Sequence, residues 1–280
     1  MRHIEFFDDF HFEHNYHRIV PSKPLSSFID FFWQTKFEHL WNEYPDGFSD
    51  YLFPNIGYSY LVNPGTPFTM QIAEEKYVIK NDSFLPRHQS IECHHQPGNI
   101  IFGTKFRISP VVFEKKINFS EYRRSMTPLS YLIDKAVVQA LKEKTSFQNR
   151  VKIMEEYFLP MLDKYEGAEP VQIVSSIIDK SIEADNYSIK IEDLANENNI
   201  ASRTLQRYFE QYTSLGCKDT LQILRARKIM EKITAGIPVV LKDSGFYDYS
   251  HFYKYMTGFL GKEMMQMLIK KMKHSDIIVK

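Results

Sequence analysis

At 280 residues, with 43% hydrophobic and 25% charged residues and a mean hydropathy of −0.37, the chain has the composition of a globular protein of about two domains. It holds too much apolar material for a disordered chain, and no run approaches the roughly 18 consecutive apolar residues of a membrane span. Net charge is zero, yet residues 200–280 carry 14 Lys+Arg against 7 Asp+Glu, the electrostatic footprint of a segment that meets phosphate.

The N-terminus, MRHIEFFDDFHFEH, lacks the basic-then-apolar order of a signal peptide. Cys93 and Cys217 are far apart and without metal-type spacing, so a reduced, cytoplasmic setting is expected. Up to about Pro128 the chain is rich in aromatics, Pro and Gly. Strand-like runs fall at residues 57–62, 77–79 and 99–107, with turns at Asn63-Pro64-Gly65 and Pro97-Gly98, and a short helix is expected over 25–33. This predicts a mainly β domain over residues 1–128, open to comparison with a cupin-like barrel.

From Leu129 onward the apolar spacing turns helical. Val151, Met154, Tyr157 and Phe158 form one stripe, and Val171, Val174, Ile177, Ile178 and Ile182 form another. Pro160 and the stretch 167–170 are expected to divide this region into helices. Residues 129–169 therefore read as a helical connector and 170–280 as an all-α domain, giving an α+β protein.

Ser188 can cap a helix over about 190–197, with Ile191, Leu194 and Ala195 on one face. Asn198-Asn199 supplies a turn that tolerates the left-handed conformation. Ser202 can cap a second helix with Leu205 and Phe209 inward, leaving Arg203, Thr204, Gln206 and Arg207 outward. That is the pattern of a helix-turn-helix, whose second helix enters the major groove, where Arg and Gln pair with guanine and adenine edges. The pattern nearly recurs 47 positions later, where Phe252, Lys254 and Met256 correspond to Leu205, Arg207 and Phe209. Pro238 suits the first turn of a second scaffold helix and Gly245 its left-handed corner. A helical run within 215–233 can hold the two units about one DNA turn apart.

These residues resemble the AraC family of bacterial transcription regulators. The resemblance rests on Ile191-x-x-Leu194-Ala195, the run Ser202 to Phe209, Leu224-Arg225-x-x-Lys228, and Gly245-Phe246-Tyr247-Asp248-Tyr249-Ser250-His251-Phe252. It implies double-stranded promoter or operator DNA as partner, with contacts from Ser202, Arg203, Thr204, Gln206, Arg207, Arg225, Tyr249, Ser250, His251, Tyr253 and Lys254. It further implies a β-rich domain that senses a small-molecule effector or forms a homodimer, with room for contact with RNA polymerase. No enzymatic activity, cofactor or membrane association is expected.

Departures cluster after the first recognition helix. The Thr-Gly-x-Ser-Pro usual in the family reads Thr213-Ser214-Leu215-Gly216-Cys217. In the second unit Leu241 replaces a small residue, Lys254 an Arg and Met256 a Phe, while the closing Gly-x-x-Pro reads Gly261-Lys262-Glu263-Met264. Lys keeps the charge of Arg but loses its bidentate fork, so the first unit is expected to carry most of the sequence readout. Two rival readings are a degenerate regulator acting through protein contacts and a metal-dependent β-barrel enzyme with a DNA-binding tail. The second would need converging ligands from His11, His14 and His17, or from His88, His94 and His95 with Glu92 and Cys93. Helical spacing disperses the first group, and adjacent His94 and His95 face opposite ways on a strand. The sequence has no phosphate loop or nucleophile elbow.

Overall fold

The computed structural model describes residues 1–113, 126–143, 146–165, 168–272 and 277–278. The N-terminal part is two facing sheets. One runs β1 (Arg2–Ile4), β4 (Phe48–Leu52), β9 (Ile91–His95), β6 (Phe68–Ile72) and β7 (Glu75–Ile79). The other runs β11 (Thr127–Pro128), β8 (Ser83–Pro86), β5 (Tyr58–Val62), β10 (Phe102–Phe106), β3 (Ile29–Thr35) and β2 (Tyr16–Ile19). β1 pairs with β4 in parallel, and the other pairings within these sheets are antiparallel.

Strand alternation explains why β5 and β10 are buried along their whole length. Successive side chains point to opposite faces, and here both faces are covered. Leu61, Met70, Leu85, Ile91 and Ile101 face inward between the sheets. Tyr58, Tyr60, Val62, Phe102 and Phe106 face the other way, toward helices. The expected strands at 57–62, 77–79 and 99–107 are therefore present as β5, β7 and β10. The helix expected over 25–33 is not. A 3-10 turn at Lys23–Leu25 leads into β3, whose Ile, Phe and Trp side chains pair with both β2 and β10. Short helix α1 (Asp9–His14) precedes β2.

The helical layer begins with α2 (Lys135–Lys142) and α3 (Phe147–Asp163). Asp134 caps α2 by accepting from the Ala136 N–H (2.8 Å), and Ser146 caps α3 by accepting from the Asn149 N–H (3.2 Å). Pro160 does not divide α3. It lies in the last turn, where the helix is already anchored by buried Val151, Met154 and Phe158. Buried Arg150 ties α2 and α3 to the sheet, donating to the Leu141 and Glu143 carbonyls and to Gln34 Oε1. α4 (Ala168–Glu183) includes Pro170 in its first turn, a position where Pro costs no hydrogen bond. Its Val174, Ile177 and Ile178 join the sheet core to the C-terminal helices in one apolar cluster.

The C-terminal part holds α5 (Ile191–Glu197), α6 (Ser202–Thr213), α7 (Cys217–Thr234), α8 (Tyr249–Leu260) and α9 (Lys262–Lys271). The scaffold helix expected to start near Pro238 does not form. Val239–Val240 instead make a short strand, β12, in parallel pairing with β13 (Ile277–Ile278). Pro removes an N–H, and two β-branched residues favour extended backbone. The Leu241 N–H then donates to the Ile278 carbonyl (2.9 Å) and a tight turn closes at Gly245. Among the described residues, no helix is long and apolar enough to cross a membrane.

Candidate nucleic-acid interface and the cavity behind it

The first unit is built by a close crossing of α5 on α6. Leu194, Ala195, Leu205 and Phe209 are buried, and Asn199 takes the left-handed corner at φ 53°. The Ile200 N–H returns to the Ala195 carbonyl (3.0 Å), fixing the turn. Neither expected cap is used: Lys190 and Ala201 stand at the N-caps, without side-chain bonds. Arg203 and Arg207 are exposed on α6, while Ser202 and Thr204 are half-buried beside them.

Gln206 is placed differently from those two arginines. Its Oε1 accepts from the Cys217 N–H (3.2 Å) and its Nε2 donates to Glu210 (3.1 Å). It thereby supplies the cap for α7 that the missing Ser would have given. Gly216 makes this possible, because a Cβ there would lie 2.1 Å from Gln206 Nε2. Ser214 occupies the left-handed end of α6 at φ 69°, a conformation that favours glycine.

α7 connects the units, and its cations turn toward the protein. The Arg225 guanidinium stacks 3.7 Å from the Phe246 ring centre and 4.9 Å from that of Tyr255. Burial lowers its pKa. Its place is at the joint between the units, away from the exposed face that carries Arg203 and Arg207. Lys228 pairs with Glu231 (3.4 Å).

In the second unit, Asp248 caps α8 by accepting from the His251 N–H (2.7 Å). Phe252, Met256 and Leu260 are buried. Tyr249, Ser250, Tyr253 and Lys254 are exposed together on the opposite face, with His251 half-buried under the stacked ring of Tyr247. Gly245 has φ 74°, and a Cβ there would meet Ser188 Oγ at 2.2 Å and Arg225 Nη2 at 3.3 Å. The two units thus bear on each other at this corner.

Behind this face, between the sheets and α7, lies a cavity of about 770 Å³. Trp33, Leu61, Leu85 and Ile101 contribute an apolar wall, and Arg18, Arg87, Lys105 and Arg227 contribute cations. Arg227 Nη2 pairs with Glu5 Oε1 (2.7 Å), and Glu5 Oε2 also accepts from the Phe53 N–H (2.8 Å). Burial pushes the Glu5 carboxyl up, but Arg227 outweighs it and holds the pKa below the ordinary value. Lys105 Nζ donates to the Ile56 and Phe106 carbonyls and lies 3.5 Å from Asp30; burial lowers its pKa to about 8. Arg87 is 8% exposed, its pKa lowered by burial, and its guanidinium has no ion pair among the described residues.

The histidines flagged by spacing are sorted by burial. His14 and His17 are exposed, whereas His11 and His95 converge on buried Asp50, with Nε2–Oδ distances of 3.0 and 3.3 Å. The Tyr16 hydroxyl also donates to Asp50. Although burial opposes ionisation of Asp50, these donors hold its pKa well below the usual carboxylate range. Among the described residues no group of three His, Cys, Asp or Glu side chains could hold a metal ion. Sequence reasoning missed this cluster and the Glu5–Arg227 pair, because each joins residues from distant strands and helices without any local pattern.

No family model matches the chain, and no curated protein matches it. Among solved structures, ToxT from Vibrio cholerae is similar at 12% identity, covering 90% of this chain and 97% of that one, with a TM-score of 0.42. Unsaturated fatty acid-bound wild-type ToxT from Vibrio cholerae strain SCE256 is 12% identical, covering 79% and 92%, with a TM-score of 0.40. The AraC-like transcriptional activator CuxR is 9% identical, covering 81% and 90%, with a TM-score of 0.27. In the order of its parts, this chain places a β-sheet domain before a set of helices.

Proposed function

We propose that this chain is a sequence-specific, DNA-binding transcription regulator of the AraC type, controlled by an anionic small molecule in the interdomain cavity. The observation that carries the DNA reading is the pair of outward faces on α6 and α8, bearing Arg203, Arg207, Ser250 and Lys254 and mounted on one helix. At 18 residues, α7 is about 27 Å long, of the order of the one-turn separation of successive major grooves. In this reading residues 170–280 bind DNA, 1–128 sense the effector and 129–169 connect them.

Control by a ligand is supported by Arg87. The Arg87 guanidinium is buried with no direct ion pair, its charge opposed only by the Glu5 carboxylate that Arg227 already engages, and an anion entering the cavity gives it a partner of its own. The apolar wall beside it fits a ligand whose charge sits at one end of an apolar body. Such a ligand touches both the sheets and α7, and so can bias their arrangement.

Selection of genomic fragments by the purified full chain, at two salt concentrations, tests the DNA reading. A shared motif spanning two successive major grooves is expected. Binding without a motif, lost at moderate salt, would refute sequence-specific readout and leave a basic surface only. The absent second scaffold helix favours one alternative, a second unit that meets a protein, and a motif confined to one groove would support it.

A further inference from the structure

The two recognition helices are the same element with different chemistry. α6 and α8 both have 12 residues and begin and end 47 positions apart, and the buried pairs Leu205/Phe252 and Phe209/Met256 keep that offset. The positions off the buried face correspond as well: Ser202 with Tyr249, Arg203 with Ser250, Arg207 with Lys254, and Gln206, engaged at the start of α7, with Tyr253, which is exposed. Where the first unit offers two arginine forks, the second offers two phenol rings one turn apart.

Tyr249 is 40% exposed and Tyr253 39% exposed. The Tyr249 ring lies 5.9 Å from that of buried Phe252. Side chains in the first turns of a recognition helix are the ones that reach base edges. At the start of the helix the Asp248 carboxylate already accepts from the His251 N–H, and its negative charge disfavours a phosphate there. On the floor of the major groove, the apolar group available to an aromatic ring is the thymine C5 methyl. Exposed Lys254 follows Tyr253 on the same helix and supplies a positive charge that suits a nucleic acid.

Resting on the DNA-binding reading above, we propose that Tyr249 and Tyr253 are specificity-determining residues that pack on thymine methyl groups, so that the second unit selects a T-containing half-site while the first reads through Arg203 and Arg207.

The test uses the full chain and a duplex carrying its selected site. The half-site whose base changes lose their effect in Arg207→Ala belongs to the first unit. In the other half, deoxyuridine replaces thymidine one position at a time, removing only the methyl. At one or two positions the Kd is expected to rise about three- to fivefold, the size of one buried methyl. That sensitivity should persist in Tyr249→Phe and Tyr253→Phe, and vanish in Tyr249→Ser/Tyr253→Ser with the thermal midpoint unchanged. Specific binding that changes less than twofold at every thymine overturns the proposal alone, as does methyl sensitivity that survives in the double Ser variant. Failure to select any site overturns the DNA reading, and this one with it.

Discussion

Replacing Glu5 with Gln should loosen the joint between the sheets and the C-terminal helices. The Glu5 and Arg227 side chains are 16% and 15% exposed, with a 2.7 Å contact. Removing one partner of a fully buried pair costs about 3–5 kcal/mol, because the other charge is left uncompensated. Here Gln retains an acceptor for the Phe53 N–H, and Arg227 still donates to the Pro54 carbonyl (3.2 Å). Arg227 also lines the cavity, where water can reach it. These three features place the expected loss nearer 2 kcal/mol, a fall in Tm of about 4–8 °C for a chain of this size. The assay is calorimetry on the wild type, Glu5→Gln, Arg227→Leu and the double variant. The double variant should be nearly as stable as Arg227→Leu, since removing the acid costs little once the cation is gone. A Glu5→Gln midpoint within 1 °C of wild type would refute the reasoning, as would losses that simply add.

The remaining predictions concern residues whose placement is now specific. Asp50 and Glu5 both have folded pKa values below their ordinary values of 3.8 and 4.5. Their contribution is therefore present above about pH 4–5 and is lost as pH falls further. Asp50→Asn should cost about 2–3 kcal/mol at pH 7, from weakening the hydrogen bond from Tyr16 and losing the carboxylate charge beside the His11 and His95 rings. It should also flatten the decline of Tm between pH 5 and 3, and an unchanged acid slope would contradict that. Ser214→Gly relieves a left-handed residue and should raise Tm by about 2–4 °C, corresponding to roughly 1 kcal/mol. Gln206→Ala should lower stability by about 1 kcal/mol through the lost cap, whereas Arg207→Ala should leave Tm unchanged and weaken specific DNA binding by about 1–3 kcal/mol. Equal thermal effects would remove the distinction between them. Arg225→Ala should lower Tm through loss of its stacking on Phe246 and Tyr255, worth about 2 kcal/mol when desolvated. An effect on DNA affinity alone would show that the side chain reaches phosphate instead.

Local rules carried much of this architecture. The first helix-turn-helix was legible because its apolar spacing, its Asn199 corner and its outward arginines all sit within 22 residues, from Ile191 to Tyr212. The sheets were partly legible, as β5 and β10 combine β-branched and aromatic residues with turn signals on either side. β3 was misread as helix because its aromatic run alternates weakly and is decided by two neighbouring strands distant in sequence. The second scaffold segment failed for a related reason. Its motif positions suggested a helix, but Pro238, Val239 and Val240 favour extension, and the pairing partner lies almost forty residues later. Among the site residues, Arg203 and Arg207 needed only periodicity. Gln206 and Arg225 carried the same sequence signal, yet their surroundings turn both inward.

On the proposed DNA-binding reading, the close approach at Gly245, where an added Cβ would meet Ser188 Oγ, joins the two units at a second place besides α7 and limits how far they swing apart. A reader with hinged heads could follow half-sites moved along the duplex. This one is held back, because each unit leans on the other as well as on α7. One extra base pair between half-sites shifts the second by about 3.4 Å and turns it by about 35° around the axis, given roughly 10 base pairs per turn. Both displacements would strain that corner. If the chain reads DNA as proposed, the sites it selects are expected to share one spacing, even where their bases vary.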